Sequence, residues 1–336
     1  MSRILRIGAL GLVALTAIAA APAELPYTIV ELGHLGGNYT QPLAINDRRQ
    51  VVGVSAAADG ASHPFLWQNG VMTDLGLLSD GISAAAEDIN YVGDVVGAGT
   101  TESFPYQPRA VLWRRGQVIP LPLLAGGTGS QAFAINDWGL IAGVADDGQA
   151  NQATVWLRGT PIPLEGLPSP FGPNGWATDV NNLGQVVGYA YVGSPSTRAV
   201  LWRQGRPVDL GTLPGDDFSA AHAINDRGQI VGISGNLGAS TERAFLWENG
   251  VMRALPTPPD ATYSQAADIN VFGVATGVVG TPRPQAVLFS RGQVVRLPSL
   301  PGTVLSIPND MNNLGDVVGY ISTDAGSPGV VWLRRP

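Results

Sequence analysis

Seven times along the chain a short apolar run ends in Asn, turns, and resumes as a second apolar run marked by glycine. The clearest copy reads Ala223-Ile224-Asn225-Asp226-Arg227-Gly228-Gln229-Ile230-Val231-Gly232. The asparagines are Asn46, Asn90, Asn136, Asn181, Asn225, Asn270 and Asn312, spaced 42 to 46 residues apart. Each is followed by an apolar stretch that ends in an aromatic: Trp67, Trp113, Trp156, Trp202, Trp247, Phe289 and Trp332. Regular self-similarity on this scale marks a repeat architecture.

One repeat, Phe218 to Leu255, resolves into four short strands. Ser219 to Ile224 is the first, rich in alanine, and Asn225 to Gly228 is a tight turn. Gln229 to Ser234 is the second strand, and the variable loop Gly235 to Glu242 follows. Arg243 to Trp247 is the third strand, apolar on both faces as in a sheet covered on both sides. Asn249-Gly250 is a two-residue hairpin signal that needs positive φ at both positions, and Val251 to Leu255 is the fourth strand. Four antiparallel strands per repeat match a β-propeller blade. Glycine stands three residues after each Asn except in the first repeat, where Arg49 predicts strain or an altered turn. The glycines Gly53, Gly97, Gly143, Gly188, Gly232, Gly277 and Gly319 are expected to admit a bulky neighbour. The small residues of the first strand belong at a crowded axis, and the seven aromatics between blades.

The last repeat lacks a fourth strand. Tyr27-Thr28-Ile29-Val30-Glu31-Leu32-Gly33-His34-Leu35-Gly36-Gly37 resembles the fourth strand and loop Val208-Asp209-Leu210-Gly211-Thr212-Leu213-Pro214-Gly215. The fold expected is all-β: a seven-bladed β-propeller of four-stranded antiparallel blades, closed by the N-terminal strand completing the last blade. A closed ring leaves no sheet edge open to aggregation. An open solenoid would need capping repeats, and the sequence carries none.

The Asn-turn-Gly segment, Arg243-Ala244-Phe245-Leu246-Trp247 and Asp209-Leu210-Gly211-Thr212-Leu213 together resemble the HAF-type bacterial extracellular repeat family. The resemblance extends from Tyr27 to Arg335. It implies exported proteins with propeller-like repeats, and it supplies no catalytic residue to carry over.

Composition sharpens this picture. Gly 44 and Pro 26 make up about a fifth of the 336 residues, in keeping with many turns. Residues 1–23 read as a signal peptide: Arg3 and Arg6, an apolar Ile7 to Ala20, and a small-x-small site at Ala21-Pro22-Ala23, with cleavage near Ala23. The apolar run is shorter than the ~20 residues of a spanning helix, so no membrane span is expected after cleavage. Residues 24–336 form a single propeller domain, secreted or periplasmic in a bacterium. Loss of Arg3 and Arg6 leaves 17 Arg against 26 acidic residues, a charge of −9. An acidic chain does not suit nucleic acid. There is no cysteine, so neither disulfides nor thiol chemistry contribute.

Strand alternation sorts the connections by face. First-to-second and third-to-fourth turns share one face and are regular. Second-to-third and fourth-to-first loops share the other and differ in every blade. Variable loops on a rigid scaffold commonly carry function, so a ligand site is expected there, from Tyr106, Phe171, Trp176, Asp216, Asp217, Phe218 and Tyr263, with His34 and His63 nearby. The seven asparagines read as turn caps, not ligands. His222 reads as a packed inner-strand residue. No catalytic set, metal site or cofactor motif stands out. Asp146-Asp147 and Asp216-Asp217 are the available paired carboxylates. The expectation is a monomeric, non-catalytic, exported binding or scaffold propeller that presents its loop face to a carbohydrate, surface polymer or protein partner. The alternatives are a glycoside hydrolase or polysaccharide lyase using Asp or Glu on the channel face, and a purely structural envelope protein.

Overall fold

The computed structural model describes residues 26–102, 107–170, 172–193, 195–239, 241–280 and 283–335. The signal segment assigned to residues 1–23 lies outside them. Within them, 28 strands form seven antiparallel sheets of four, arranged in a ring. This is a seven-bladed β-propeller. In blade five the strands are Phe218–Ile224, Ile230–Asn236, Thr241–Glu248 and Val251–Ala254. The first strands of successive blades neighbour one another around the ring, so they line the axis.

The ring closes as the displaced half-repeat implied. Tyr27–Glu31 is the fourth strand of blade seven and pairs antiparallel with Gly329–Arg334. The Tyr27 hydroxyl donates to the Gly315 carbonyl at 2.9 Å, and Leu32 N–H donates to the Gly329 carbonyl at 3.0 Å.

Turn chemistry sets the hairpins. At the third-to-fourth turns the residue before glycine has φ of 50° to 53°, and the glycine is also positive, the pattern of a type I′ turn. Three residues after each repeat asparagine, glycine is left-handed. Arg49 takes the same conformation, at φ 59°. The strain predicted there is present, but the turn is unaltered. Its Nε donates to Asp316 Oδ2 at 2.8 Å, and the Asp316 side chain is fully buried. Arginine at this place therefore clasps blade one to blade seven.

Every first strand carries a β-bulge at the residue three before the asparagine. In blade five Ala221 pairs with Gly232 and Ala223 with Val231, leaving His222 unpaired. The bulge explains the second-strand glycines, and it corrects the expectation that they admit a bulky side chain. A Cβ on Gly232 would lie 2.1 Å from the Ala220 carbonyl oxygen, and on Gly188 1.9 Å from that of Trp176. The neighbour is the bulged backbone itself.

The seven repeat aromatics are all buried, and they pack across blade junctions. Trp156, for example, sits with Val96, Ala110 and Leu112 of blade two. Several also tie down the incoming loop. Trp113, Trp156, Trp202 and Trp332 donate Nε1–H to the carbonyls of Gly76, Pro122, Glu165 and Pro298 at 2.8 to 2.9 Å. Each ring buries on the order of 150–250 Å² while keeping its polar edge bonded.

Deleting Tyr27 to Leu35 exposes the edge of Gly329–Arg334 and uncovers Trp332. The melting temperature is expected to fall by about 10 °C or more, a loss of several kcal/mol. A thermal melt of the truncated chain checks this.

Candidate functional site

At the axis, side chains of one blade bond to the backbone of the next. Each repeat asparagine turns its Oδ1 to its own turn: Asn136 accepts from Trp138 N–H at 3.1 Å and Leu140 N–H at 2.9 Å. Its Nδ2 points across the junction and donates to the Asn181 carbonyl at 3.0 Å. Six of the seven junctions carry this bond, including Asn312 to Asn46 at 3.1 Å. The asparagines thus cap their turns, as expected, and also link the blades.

A second set sits one residue further on. Asp137 Oδ1 accepts from Tyr91 N–H, Asn182 Oδ1 from Asp137 N–H, Asp226 Oδ1 from Asn182 N–H, and Asp47 Oδ1 from Asn313 N–H, all at 2.7 to 2.9 Å. A third comes from the bulged residues. Thr178, His222 and Asn309 bond to the carbonyls of Ala221, Ala266 and Pro42 in the next blade. Burial lowers the His222 pKa, which keeps the ring neutral with Nδ1–H as donor.

Two residues before the asparagines stand Ala44, Asp88, Ala134, Asp179, Ala223, Asp268 and Asp310. Sequence reasoning missed these aspartates. The signal was the alternation of Ala and Asp down the aligned repeats. They answer a geometric need. The N–H of the residue before each asparagine faces the axis and has no strand beyond it to bond. Asp88 accepts from its own Ile89 and from Ile135 of the next blade, both at 2.7 Å. Asp179 does the same for Val180 and Ile224 at 2.7 Å. Asp268 accepts from Met311 N–H at 3.0 Å and from Ile269 N–H. One carboxylate has two oxygens and so serves two blades. Seven is odd, and the N–H of Ile45 is left over. Asp310 takes it at 2.7 Å, which sets two carboxyls side by side in blades six and seven.

Their titration follows. Burial raises Asp88 to about 6, against the pull of the two N–H groups, with the charges of Asp268 and Asp137 adding to the rise. Burial raises Asp179 to about 8, again opposed by N–H donation. Asp268 and Asp310 are both raised, first by burial. Asp310 lies well above the carboxylate range because it also faces the Asp268 charge, and it holds the proton that it donates to Asp268. The three aspartates Asp88, Asp268 and Asp310, with Asp47, Asp137 and Asp226, line a cavity of about 200 Å³ at the turn-face mouth of the channel.

The loop face carries two recesses on different blades. One, of about 240 Å³, is lined by Trp176, Gln131, Asp146, Asn151 and Gln107. Trp176 stacks on Tyr189 with ring centroids 5.3 Å apart and meets Tyr191 edge-on at 5.7 Å. The other, of about 560 Å³, is lined by Tyr263, Glu242, Gln265, Pro284 and Ile307. Burial raises the Tyr263 hydroxyl, with the Glu242 charge adding to it.

The remaining expected residues are not gathered with these. Asp216 is occupied: Arg243 Nη2 donates to Oδ1 at 2.7 Å, and the Ser234 hydroxyl to Oδ2 at 2.7 Å. Asp217 accepts from Leu237 N–H at 2.9 Å and orders its loop. The Phe218 ring packs on Gly235. Asp146, which does line the first recess, already accepts from Thr128 and Gly148 N–H, and Asp147 accepts from Gln149 and Ala150 N–H, which lowers the Asp147 pKa. His34 Nδ1 accepts from Gly36 N–H, and His63 Nδ1 lies 2.7 Å from Asp74. Tyr106 and Phe171 lie outside the described residues.

No family model matches the chain, and no curated protein matches it. Solved structures share its fold. A puromycin-hydrolyzing peptidase of Mycobacterium tuberculosis matches with a TM-score of 0.61 at 14% identity, over 88% of this chain and 50% of that one. A puromycin hydrolase matches at 0.60 and 14%, over 89% and 53%. A structure from a study of two prolyl endopeptidases matches at 0.58 and 14%, over 92% and 50%. The chain spans about half the length of these proteins, and the likeness is one of fold.

Two outcomes follow from the axis. The channel carboxyls hold folded pKa values above the ordinary 3.8, so the folded ring resists losing their protons. The stability they contribute is full below the unfolded value and is lost as pH rises through about 6 and about 8. Melting temperature should therefore fall between pH 5 and pH 9. Asp310→Asn mimics the protonated partner, donating to Asp268 and accepting from Ile45, and should leave the melting temperature at pH 8 unchanged or raise it. Asp88→Asn turns an amide N–H₂ onto a backbone donor and should cost about 1–3 kcal/mol. Calorimetry of both variants at pH 5 and pH 8 checks this.

Proposed function

We propose that this chain is an exported, non-catalytic binding propeller of the HAF-type repeat kind, and that its loop face takes a carbohydrate. The observation that carries the reading is the Trp176 recess. Trp176, its ring braced by Tyr189 and Tyr191, lines it beside Asp146, Gln131, Asn151 and Gln107. A sugar ring offers a C–H face that sits on an aromatic side chain, and hydroxyls that bond to planar amides and carboxylates. A few convergent polar groups on an aromatic floor is the usual make-up of a small-ligand site. The recess spans blades two to four on the face where loops vary, held by strands that do not. The engagement of Asp216 with Arg243 and Ser234 supports the non-catalytic reading over a hydrolase built on that pair.

The test is a glycan array followed by calorimetric titration of the best glycan. Trp176→Ala should weaken binding at least tenfold, or about 1.4 kcal/mol, while the fold survives because the side chain lies at a strand start on the rim. An array without a hit, or an unchanged affinity in the variant, sinks the reading.

A further inference from the structure

The turn face carries a feature that neither turn capping nor blade packing uses. Two residues after each repeat asparagine the side chain stands at the tip of an inner turn. These residues are Arg48, Val92, Trp138, Leu183, Arg227, Phe272 and Leu314. Five of the seven are large and apolar, yet Trp138 is 82% exposed, Phe272 70%, Leu183 69% and Val92 60%. Leu314 and Tyr91 are exposed beside them. The outer turns of the same face see the same solvent and are polar: Asn69-Gly70, Arg115-Gly116, Arg158-Gly159, Gln204-Gly205, Asn249-Gly250 and Arg291-Gly292. Single exposed apolar residues such as Val71 and Val251 flank the outer turns, but at the rim of the channel they recur from blade to blade. Trp138 is also held in place, its Nε1–H donating to the Asn182 carbonyl at 3.1 Å. An apolar ring of this kind, exposed on a rigid frame, marks an interaction surface.

Charge complementarity says what fits it. The mouth inside the ring is lined by Asp47, Asp88, Asp137, Asp226, Asp268 and Asp310, and no basic residue lines it. Arg48 and Arg227 stand on the rim, in blades one and five. Beside the ring, between blades four and five, a depression of about 530 Å³ is lined by the apolar Leu183, Val208 and Trp247 and by the charged Arg203, Asp226 and Arg227. We propose that the turn face docks a protein segment that directs a Lys or Arg side chain into the acidic mouth and lays apolar side chains on Trp138, Leu183 and Phe272. This surface is separate from the loop-face recess and does not depend on it.

The proposal predicts a pH dependence of known sign. The groups facing the incoming base are Asp47, Asp88, Asp137, Asp226, Asp268 and Asp310, with Asp179 and Glu87 behind them and Arg48 and Arg227 at the rim. Asp88 and Asp179 lose their protons as pH rises through about 6 and about 8, while Lys or Arg stays charged. Binding therefore tightens with pH.

The experiment pans phage-displayed random dodecapeptides at pH 8 against the immobilised protein, then follows a synthetic copy of the enriched peptide by fluorescence anisotropy. Enriched sequences should carry Lys or Arg flanked by apolar residues. The peptide should lose at least tenfold in affinity on the Trp138→Ser/Phe272→Ser double variant, lose as much when its base is replaced by Gln, and tighten from pH 5.5 to pH 8.5. Both mutated residues are exposed, so the melting temperature should hold. Val71→Ser, at an exposed outer-turn position of the same face, should change nothing. Failure to enrich, enrichment without a basic residue, or equal binding to the double variant overturns the proposal. So does a second copy of this chain, detected by sedimentation velocity, occupying the ring instead of the peptide. Glycan binding at the loop face, unaffected by the double variant, separates this outcome from that of the carbohydrate reading.

Discussion

One asparagine amide per blade is the bond on which this ring depends. Its oxygen accepts two N–H groups of its own turn, and at six of the seven junctions its nitrogen donates to the carbonyl of the next blade. Both ends of the amide are used, and each is directional. Aspartate would offer no donor across the junction, and glutamine would overreach the tight turn. Because the amide joins the shape of one turn to the position of the next blade, an error in either breaks both. The neighbouring features follow from holding that turn at the axis. The bulge ahead of it brings the first strand so close to the second that only glycine fits opposite. The left-handed residue behind it is glycine everywhere except where Arg49 reaches across the closing seam to Asp316.

The axis then poses a problem of satisfaction. A strand on the inner edge of a sheet exposes backbone N–H groups with no partner, and unmet donors are costly where water is scarce. A carboxylate with two oxygens can bridge two adjacent blades, so three would serve six. The seventh blade forces a fourth carboxyl next to the third, and the pair is tolerable only because Asp310 keeps its proton. The raised titration of the channel follows first from burial, and the odd blade number adds the Asp268 charge beside Asp310. It also leaves the mouth acidic inside an apolar rim.

Much of the fold was legible in the residue order. Asn249-Gly250 and its counterparts announce type I′ hairpins because few residues tolerate two successive positive φ values. The displaced strand Tyr27–Glu31 is legible because it repeats the Val208-Asp209-Leu210 pattern ahead of any first strand. The site was less legible. Trp176 and Tyr263 do line recesses, whereas Asp216 and Phe218 turn inward to Arg243 and Gly235. Nothing in a local stretch reveals that an aspartate has an arginine 27 positions later as its partner.

Periodicity, turn residues and strand pattern are properties of neighbours in the chain, so the sequence alone determined the blade number, the strand order and the way the ring shuts. What meets at the axis is a property of residues some 45 positions apart, which touch only once the circle is complete. The pairing of four carboxyls with seven inward N–H groups, the proton held between Asp268 and Asp310, and the apolar rim around them were decided there. The physical reason is that each depends on the distance between blades, which the closed ring alone imposes.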